Sequence, residues 1–581
     1  MLDRTRTIAT LWTDAVAAQR GYPAFLVERD GTWHEVSWAE AGRRVDELAA
    51  GFISLGIERG DRVAILSRTR VEWTISDFAL SSIGAIVVPL YPTSSTADCL
   101  HILANSGAQA LICEDAEQLA QLSAQRSELT GLEHVILVEA EDEPGLDLAE
   151  LSARGRDHLA RYPAAVADAR AAITETDVLT ILYTSGTTGP PKGCVLQHVD
   201  FWLVTDSVRQ IELLEPGDSI LLYLPLAHNV ARLVQFVAAG VGGTLAFCPD
   251  VSGLSQALAA VRPTVLPSVP RVFEKVYAGV RAAFAEETGA KRRLIDWAVA
   301  VGYRASELRQ AGRGLPPGLA CKRALADRLV FSKIQKRLGG RLRLAVSGGA
   351  PLAKEIAEFF HALGILILEG YGLTEATSAT HVNRPGRYRL GTVGPPLPGV
   401  EARLGEDGEL HIRSETVFAG YYADEEATRA ALPGDGWLRT GDIGEIDPDG
   451  FLTITDRKKD IIVTAGGKNV APQNIENALK AAPYISQALV VGDRRPYLIA
   501  LVTVDEAEAE KSNRTPAEIR AAVEQTVSDV NATLGRFEQL KRVAVLPRDF
   551  SLEEGEVTPT LKLRRRICEE HFRAEIDGLY R

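Results

Sequence analysis

The chain has 581 residues, more than one hydrophobic core usually serves, so at least two domains are expected. It is 46% hydrophobic and 24% charged, the composition of an ordinary globular protein, and its net charge of −13 argues against general nucleic-acid binding. Six cysteines (Cys99, Cys113, Cys194, Cys248, Cys321, Cys568) lie far apart with no CxxC pair, which excludes the usual zinc spacings and a dense disulfide framework and fits a reducing cytoplasm.

The amino-terminal stretch MLDRTRTIATLW has no apolar core of signal-peptide type, so a cytoplasmic location is expected. Apolar residues recur at helical spacing from Trp38 to Leu55 and stop at Gly56, ahead of the turn Arg59-Gly-Asp61. Strand-like Arg62–Leu66 comes next, then a helical stretch through Leu80, then strand-like Ile86–Leu90 ending in the turn Tyr91–Ser95. Another helix and the strand Ala110–Cys113 complete a β-α-β rhythm, which predicts a parallel sheet covered by helices. Residues 114–172 alternate more weakly, and the acidic piece Glu139–Asp147 reads as a solvated loop.

The stretch Tyr183–Gly193 reads YTSGTTGPPKG, with the buried strand Val178–Tyr183 leading in and β-prone Gly193–Leu196 leading out. Its backbone N–H groups are free of side-chain bulk, its hydroxyls can donate, and Lys192 is a mobile cation, which are the parts needed to cradle a polyphosphate. A flexible surface turn would also be rich in Gly, Pro and Ser/Thr. A linker seldom sets a lysine and four hydroxyls so compactly between two buried strands. The common P-loop needs Gly-Lys before a Ser or Thr that opens a helix, whereas Lys192 lies between Pro191 and Gly193, so a different fold must hold it.

Beyond this loop the rhythm returns, with strand Ser219–Tyr223, a helix, strand Thr244–Phe247, a helix near Leu254–Val261 and strand Thr264–Leu266. The apolar run Leu233–Cys248, broken by Gln235 and three glycines, is too short to span a membrane and reads as a core helix followed by a strand. Residues 270–338 are helical and charge-rich, with a break at Gly312–Gly318. Within them Lys291–Gln310 has basic residues and an apolar component, for which a core-facing amphipathic helix accounts, leaving contact with a membrane surface open. Strand Leu342–Val346 meets Ser347-Gly-Gly-Ala350, and strand Ile365–Glu369 meets Gly370-Tyr-Gly372. Two α/β halves with glycine turns at strand ends predict a doubly wound architecture with ligands at the carboxyl ends of its strands. After Gly391 short strands such as Glu409–Ile412 and Gly450–Ile454 alternate with turns, up to the charged cluster Asp456–Asp460. The remainder of the chain has the size of a small separate domain, so the division is placed between 1–457 and 458–581.

YTSGTTGPPKG resembles the phosphate loop of the adenylate-forming enzymes, the superfamily of acyl-CoA synthetases, adenylation domains and luciferases. Four further stretches match that family in its own order and span most of the chain. SGGAPL at Ser347–Leu352 is a glycine turn that in the family borders the adenine, which implicates Gly349 and Ala350. EGYGLTEAT at Glu369–Thr377 offers the aromatic face of Tyr371 and the hard oxygens of Thr374 and Glu375. A capped helix start would also place Thr374 and Glu375 so, but would leave Tyr371 and its glycines unexplained. WLRTGDIG at Trp437–Gly444 sets Asp442 in what reads as a tight turn, and DRKKDIIVTAGGKNVAPQNIE at Asp456–Glu476 is the strongest fingerprint after the loop.

The resemblance implies a large amino-terminal domain of doubly wound α/β sheets with a distorted β-barrel-like part, and a small mobile α+β lid. It implies that Thr184, Ser185, Gly186, Thr187, Thr188, Gly189 and Lys192 hold the phosphates of ATP. Glu369, Gly370, Tyr371, Gly372 and Thr374 would hold the adenine side, with Tyr371 stacking on the base. Asp442 would take both ribose hydroxyls, Arg457 the ribose and phosphate side, and Glu375 a magnesium ion, with Thr184 as a second ligand. Lys459 matches the hinge of the lid, while Lys458 reads as a solvated charge in the turn. Gly466, Gly467 and Lys468 would border the pantetheine arm of CoA, since glycine permits close backbone approach. His228, in LPLAHNVAR, resembles the histidine beside the acyl pocket and phosphates, and Lys562, in PTLKLRRR, matches the catalytic lysine of the tail.

The family usually has Gly before that lysine. Leu561 stands there, as in the long-chain branch, and the string DGWLRTGDIGEIDPDG followed by TDRKKDIIVTAGGKNVAPQNIE is also most similar to long-chain fatty acyl-CoA synthetases. The tryptophan gate that some long-chain enzymes carry has no counterpart, because Val230–Gln235 contains no aromatic. Expected substrates are a fatty acid, ATP and CoA, with no nucleic-acid partner. An aryl-CoA ligase, an acyl-AMP ligase serving a carrier protein, and a non-catalytic nucleotide-binding scaffold are the competing readings.

Overall fold

Two eight-stranded sheets carry the large amino-terminal part of the chain. The computed structural model describes residues 5–123, 131–140, 146–184, 190–505, 515–558 and 562–581. In one sheet the strands run in the order His381–Val382, Leu366–Tyr371, Leu344–Ser347, Val265–Ser268, Ser219–Leu222, Thr244–Phe247, Phe25–Arg29, Thr32–Val36. In the other the order is Gly420–Tyr421, Lys192–Gln197, Val178–Thr184, Ile86–Leu90, Arg62–Leu66, Ala110–Cys113, His134–Leu137, Leu146–Asp147. The inner strands of both are parallel except Lys192–Gln197, which runs antiparallel to both of its neighbours, and Ala110–Cys113 is buried at every position. That burial on both faces explains why the strands read as continuous apolar runs rather than alternating ones.

The helix Ile8–Ala17, closed at its start by the Thr7–Thr10 capping box, belongs to the core although no clear periodicity marks it. Its Trp12 is 2% exposed and stacks on Phe78 with ring centroids 4.2 Å apart. Truncating so buried an indole typically costs about 3–5 kcal/mol. The buried helices Val71–Ile83 and Asn229–Val241 both pack against this element, and one apolar cluster runs through both sheets. The acidic piece at 139–147 is not a loop throughout: Leu146–Asp147 is a short edge strand, and Asp147 caps the helix Leu148–Arg161 by accepting from the Glu150 N–H at 2.5 Å. Residues 141–145 lie outside the described residues.

The barrel-like part is a four-stranded antiparallel sheet of Glu401–Leu404, Glu409–Arg413, Leu438–Ile446 and Leu452–Arg457. Asp442 is therefore not in a tight turn. It lies within a strand, directly opposite Arg457, and the positive φ of 71° at Gly441 kinks the strand just before it. A glycine is needed for that backbone, and the kink imitates a turn in the sequence.

The smaller unit is built on a three-stranded sheet of Ile485–Val491, Leu498–Val504 and Leu540–Val545. Ala488 and Val490 face the helices Pro472–Lys480 and Pro516–Asn531, while Leu489 and Val491 face the tail helices Arg565–His571 and Arg573–Tyr580. Alternate residues of one strand thus build two cores. Among the described residues no helix is long and apolar enough to cross a membrane.

Candidate active site

The arms of the glycine-rich loop form an antiparallel pair in which Thr184 stands opposite Lys192. Gly193 is required there, since a Cβ would come within 2.7 Å of the Ile181 side chain. The Thr184 hydroxyl donates to the Lys192 carbonyl at 3.4 Å. The Lys192 ammonium is 3.2 Å from Asp424 and 5.6 Å above the ring centroid of Tyr421, with 43% of its side chain exposed. It is anchored loosely enough to meet a polyanion. Ser185, Gly186, Thr187, Thr188 and Gly189 lie outside the described residues.

Two neighbouring parallel strands, Leu344–Ser347 and Leu366–Tyr371, carry the SGGAPL turn and GYG at their ends; the turn expected at GYG is strand as far as Tyr371, which pairs with His381. Gly349 adopts φ of 83°, and at Gly372 a Cβ would fall 1.4 Å from the Ser378 carbonyl oxygen, so only glycine fits. Ala350 is exposed on the first turn, and Gly370 pairs with Val382. Glu369 is buried and accepts from the N–H groups of Leu352 at 3.2 Å and Gly391 at 3.3 Å, while burial pushes its carboxyl up to about 7. One oxygen fastens the SGGAPL turn to the strand that carries Glu369, and the other ties in the segment at Gly391.

Tyr371 donates its hydroxyl to Asp442 at 2.6 Å, and the other oxygen of Asp442 lies 3.6 Å from the Arg457 guanidinium. Burial and the Asp442 charge both push the Tyr371 phenol well above its ordinary value, so it stays a neutral donor. Residues Thr374–Ala376 form a single 3-10 turn with no side-chain cap, which removes the capped-helix explanation. Thr374 accepts from the Asn229 amide at 3.3 Å, and Glu375 accepts from the Tyr421 hydroxyl at 2.7 Å through one oxygen. The two residues after this turn, Thr377 and Ser378, have φ of 51° and 80°. A β-branched residue there is strained, and the Thr377 hydroxyl holds the conformation by donating to the Thr416 carbonyl at 2.7 Å.

His228 is the N-cap of the helix Asn229–Val241, and its Nδ1 accepts from the Val230 N–H at 3.2 Å. Burial, with the nearby Lys562 charge, lowers its imidazole to about 4, so at neutral pH the ring is uncharged with its proton on Nε2. That leaves a donor.

The tail brings Lys562 to this group. The lysine keeps accessible surface, yet the packed site around it lowers its ammonium to about 8 through desolvation first and the Arg457 charge second. Asp442 and Glu375 act in the opposite sense, which puts Lys562 within electrostatic reach of both. Its backbone is tied to Thr558, whose N–H donates to the Lys562 carbonyl at 2.8 Å and whose hydroxyl accepts from the Lys562 N–H at 3.1 Å. Lys459 feels the same surroundings, and desolvation lowers it too.

Lys458 is not a merely solvated charge. Its ammonium pairs with Asp407 at 2.7 Å and with the buried Glu409 at 2.8 Å, and its N–H donates to the Gly441 carbonyl at 2.8 Å. Farther out, Arg271 of the large unit donates to the Ser486 carbonyl at 2.6 Å and hydroxyl at 3.0 Å in the small unit. Gly466, Gly467 and Lys468 are exposed on the tip of a two-stranded hairpin, Ile462–Val463 with Asn469–Val470. The Lys468 N–H donates to the Thr464 hydroxyl at 3.2 Å, and Gly467 has φ of 71° with nothing within 4 Å of its Cβ position.

A family model described as AMP-binding enzyme matches residues 12–422, and one described as AMP-binding enzyme C-terminal domain matches residues 459–581. The chain belongs to the AMP-binding enzyme family. It is 39% identical over 590 aligned residues to the long-chain-fatty-acid–CoA ligase FadD15 of Mycobacterium bovis, covering 97% of this chain and 95% of that one. The peroxisomal long chain acyl-CoA synthetase 7 of Arabidopsis thaliana is 32% identical, with 97% of this chain and 84% of that one covered. Among solved structures, the adenylation domain of a carboxylate reductase from Mycobacterium chelonae superposes with a TM-score of 0.77 at 24% identity, covering 99% of this chain and 91% of that one. A fatty acyl CoA synthetase of Mycobacterium tuberculosis gives a TM-score of 0.63 at 23% identity, with 98% and 99% covered. These last two speak to the fold.

The sequence reading missed four residues that shape the site. Tyr421 and Asp424 hold Glu375 and Lys192, Asn229 holds Thr374, and Glu409 holds both Lys458 and the Gly441 N–H, the latter at 2.9 Å. The aromatic pair Tyr421-Tyr422, with the acidic run Asp424–Glu426 just beyond it, was the signal in the sequence for the first two.

Proposed function

We propose that this protein activates a long-chain fatty acid with ATP and passes the acyl group to CoA. A carboxylate does not react with a thiol at neutral pH, because oxide is a hopeless leaving group. In the first half-reaction a carboxylate oxygen attacks the α-phosphorus of ATP, and the bond to the β-phosphate oxygen breaks to release pyrophosphate. In the second the CoA sulfur attacks the acyl carbon, the bond to AMP breaks, and the thiol proton leaves to solvent. The observation that carries the reading is the convergence of Lys562 from the tail with Asp442 and Glu375 of the large unit. No protein nucleophile is needed, so the protein's part is positioning and charge stabilisation.

In this reading Thr184, Lys192 and the loop between them receive the β- and γ-phosphates. Asp442 takes the ribose, held in place by the Tyr371 hydroxyl and Arg457. Tyr371 lies against the adenine beside Gly349 and Ala350. His228 offers its Nε2 proton toward the carboxylate or phosphate oxygens. A magnesium ion fits the donor set: Glu375 keeps one carboxylate oxygen unpaired among the described residues, and Thr184 presents a hydroxyl. Magnesium commonly takes only one or two protein oxygens beside water and phosphate. When bound it would neutralise charge on the phosphates. The substrate class is supported by the names of the curated relatives, and Gly466, Gly467 and Lys468 are assigned to CoA on the family pattern. The large unit is taken to end at Lys458, whose three ties hold it to that unit, with the pivot at Lys459.

The direct test is a panel of carboxylic acids assayed for AMP and pyrophosphate with and without CoA. Stoichiometric ADP would overturn the reading, since attack would then be at the γ-phosphorus. An aromatic acid with a higher kcat/KM than every fatty acid would overturn the substrate class alone. Asp442→Asn, which loses charge-assisted bonds to the ribose, should raise the KM for ATP about 10- to 100-fold. The KM for the acid should change much less, and equal changes in both would show a general collapse of the site.

The lowered Lys562 ammonium gives a pH prediction. The cationic form is the active one, so it is complete below about 8 and is lost as the pH rises through that value. Pyrophosphate release measured as kcat/KM should therefore fall about tenfold per pH unit above it. In Lys562→Arg whatever activity remains should lose that descending limb, because a guanidinium stays charged. A limb that persists in the arginine variant would belong to another group.

A further inference from the structure

One surface stands apart from the rest of this acidic chain. Residues 313–341 contain eight Lys or Arg and a single acidic residue, Asp327, within a chain whose net charge is −13. Asp327 is taken by Arg323 at 2.9 Å. Lys322, Arg328, Lys333, Lys336 and Arg337 are all exposed, and none pairs with a carboxylate among the described residues. They lie on one helical run, Pro317–Arg337, that passes through a π turn at Asp327–Phe331.

The inner face of this run is occupied. Ala326, Val330, Phe331, Ile334 and Leu338 are buried in the main core. The outer face nevertheless carries Leu325 at 48% exposure and Leu329 at 39%, four residues apart and in line with exposed Cys321. Single exposed leucines need no explanation, but two on one stripe, framed by unpaired cations, make an amphipathic face turned outward. Nucleic acid would use the charges and leave the leucines idle. An acidic protein would not need them so thinly spread. Lysine and arginine flanking a narrow leucine stripe is the pattern of a helix lying in the headgroup layer of an anionic bilayer.

We propose that the outward face of Pro317–Arg337 docks the enzyme on anionic lipid membranes. Leu325 and Leu329 enter the acyl boundary, and Lys322, Arg328, Lys333, Lys336 and Arg337 meet lipid phosphates. Such docking would keep the enzyme where a long-chain acid partitions, which links the surface to the proposed substrate. The binding itself needs no turnover, so its failure would leave the proposed reaction untouched.

The test is sedimentation of the full chain with vesicles of phosphatidylcholine alone and of phosphatidylcholine with phosphatidylglycerol. Binding should require phosphatidylglycerol and weaken as salt is raised. Each neighbouring lysine strengthens such binding about fivefold, so the triple variant Lys322→Gln, Lys333→Gln, Lys336→Gln should bind about 100-fold more weakly. Leu325→Ser with Leu329→Ser should also bind more weakly while keeping the salt dependence. Both variants should retain wild-type adenylation of an acid presented on albumin, which shows that they fold. Equal binding to both vesicle types, no binding to either, or a triple variant that binds as wild type would overturn the proposal. So would a dimer in solution that the leucine variants dissolve while vesicles capture nothing, because the face would then be covered by a second copy.

Discussion

Lys562→Ala is expected to slow pyrophosphate release from ATP and fatty acid by about 10²–10³, the usual loss when one group stabilising developing charge is removed. The ammonium lies within reach of Glu375, Asp442 and His228, where the proposed reaction would bring the α-phosphate and the acyl oxygens together. It arrives there on the small unit, where its backbone is tied to Thr558 and the next residue, Leu563, is bridged to Val557. A lid that turns about Lys459 would carry it away before CoA enters. The second half-reaction, started from isolated acyl-adenylate, should therefore lose far less than the first. The split distinguishes catalysis from structure, because a lysine that merely supported the fold would damage both halves alike. Rapid quench of each half-reaction, with the KM for ATP measured alongside, reads the difference.

Much of this site was legible because its chemistry is local in sequence. The loop at Tyr183–Gly193, the string Gly370–Gly372 and the cluster at Asp456–Asp460 each set several candidate site residues close together, and buried parallel strands announce themselves as apolar runs. The parts that escaped depend on distant partners. Strand Phe25–Arg29 pairs with Thr244–Phe247, Leu26 opposite Ala246, and its hairpin mate Thr32–Val36 is mostly exposed, so neither periodicity nor a neighbour marked them. Lys458 read as a free surface charge because its carboxylates, Asp407 and Glu409, lie some fifty residues earlier. Asp442 was misplaced for a different reason: Gly441 and Gly444 imply a turn, whereas the strand continues through a kink that only the facing strand Leu452–Arg457 reveals. Local composition thus named the candidate groups that the fold gathers, while the residues that aim them are fixed by the sheet.

Lys459→Pro should separate the two half-reactions more sharply than any side-chain deletion. The residue before it is held to the large unit by the Gly441 carbonyl, Asp407 and Glu409. On the other side, the Asp460 N–H donates to the Arg457 carbonyl at 2.9 Å and the Ile461 N–H to the same oxygen at 3.2 Å, closing a tight turn about Lys459. The Lys459 N–H makes no hydrogen bond among the described residues, so a proline removes no donor that the present arrangement uses. A proline there locks φ near about −65°, which freezes the torsion a pivot must change, and its pressure on Lys458 to leave the turn conformation is opposed by that residue's three ties to the large unit. In the arrangement seen here Lys562 is at the site and Arg271 is bonded to Ser486, so the adenylating state is the one expected to be trapped. Single-turnover pyrophosphate release should then persist near the wild-type rate, while transfer from isolated acyl-adenylate to CoA falls by about 10² or more, as for hinge changes that block a required domain motion. Lys459→Ala keeps the backbone free and should be mild in both assays. Normal CoA transfer by the proline variant would place the pivot elsewhere. Loss of both half-reactions, with an unchanged unfolding transition, would mean that proline disturbs the adenylating geometry itself.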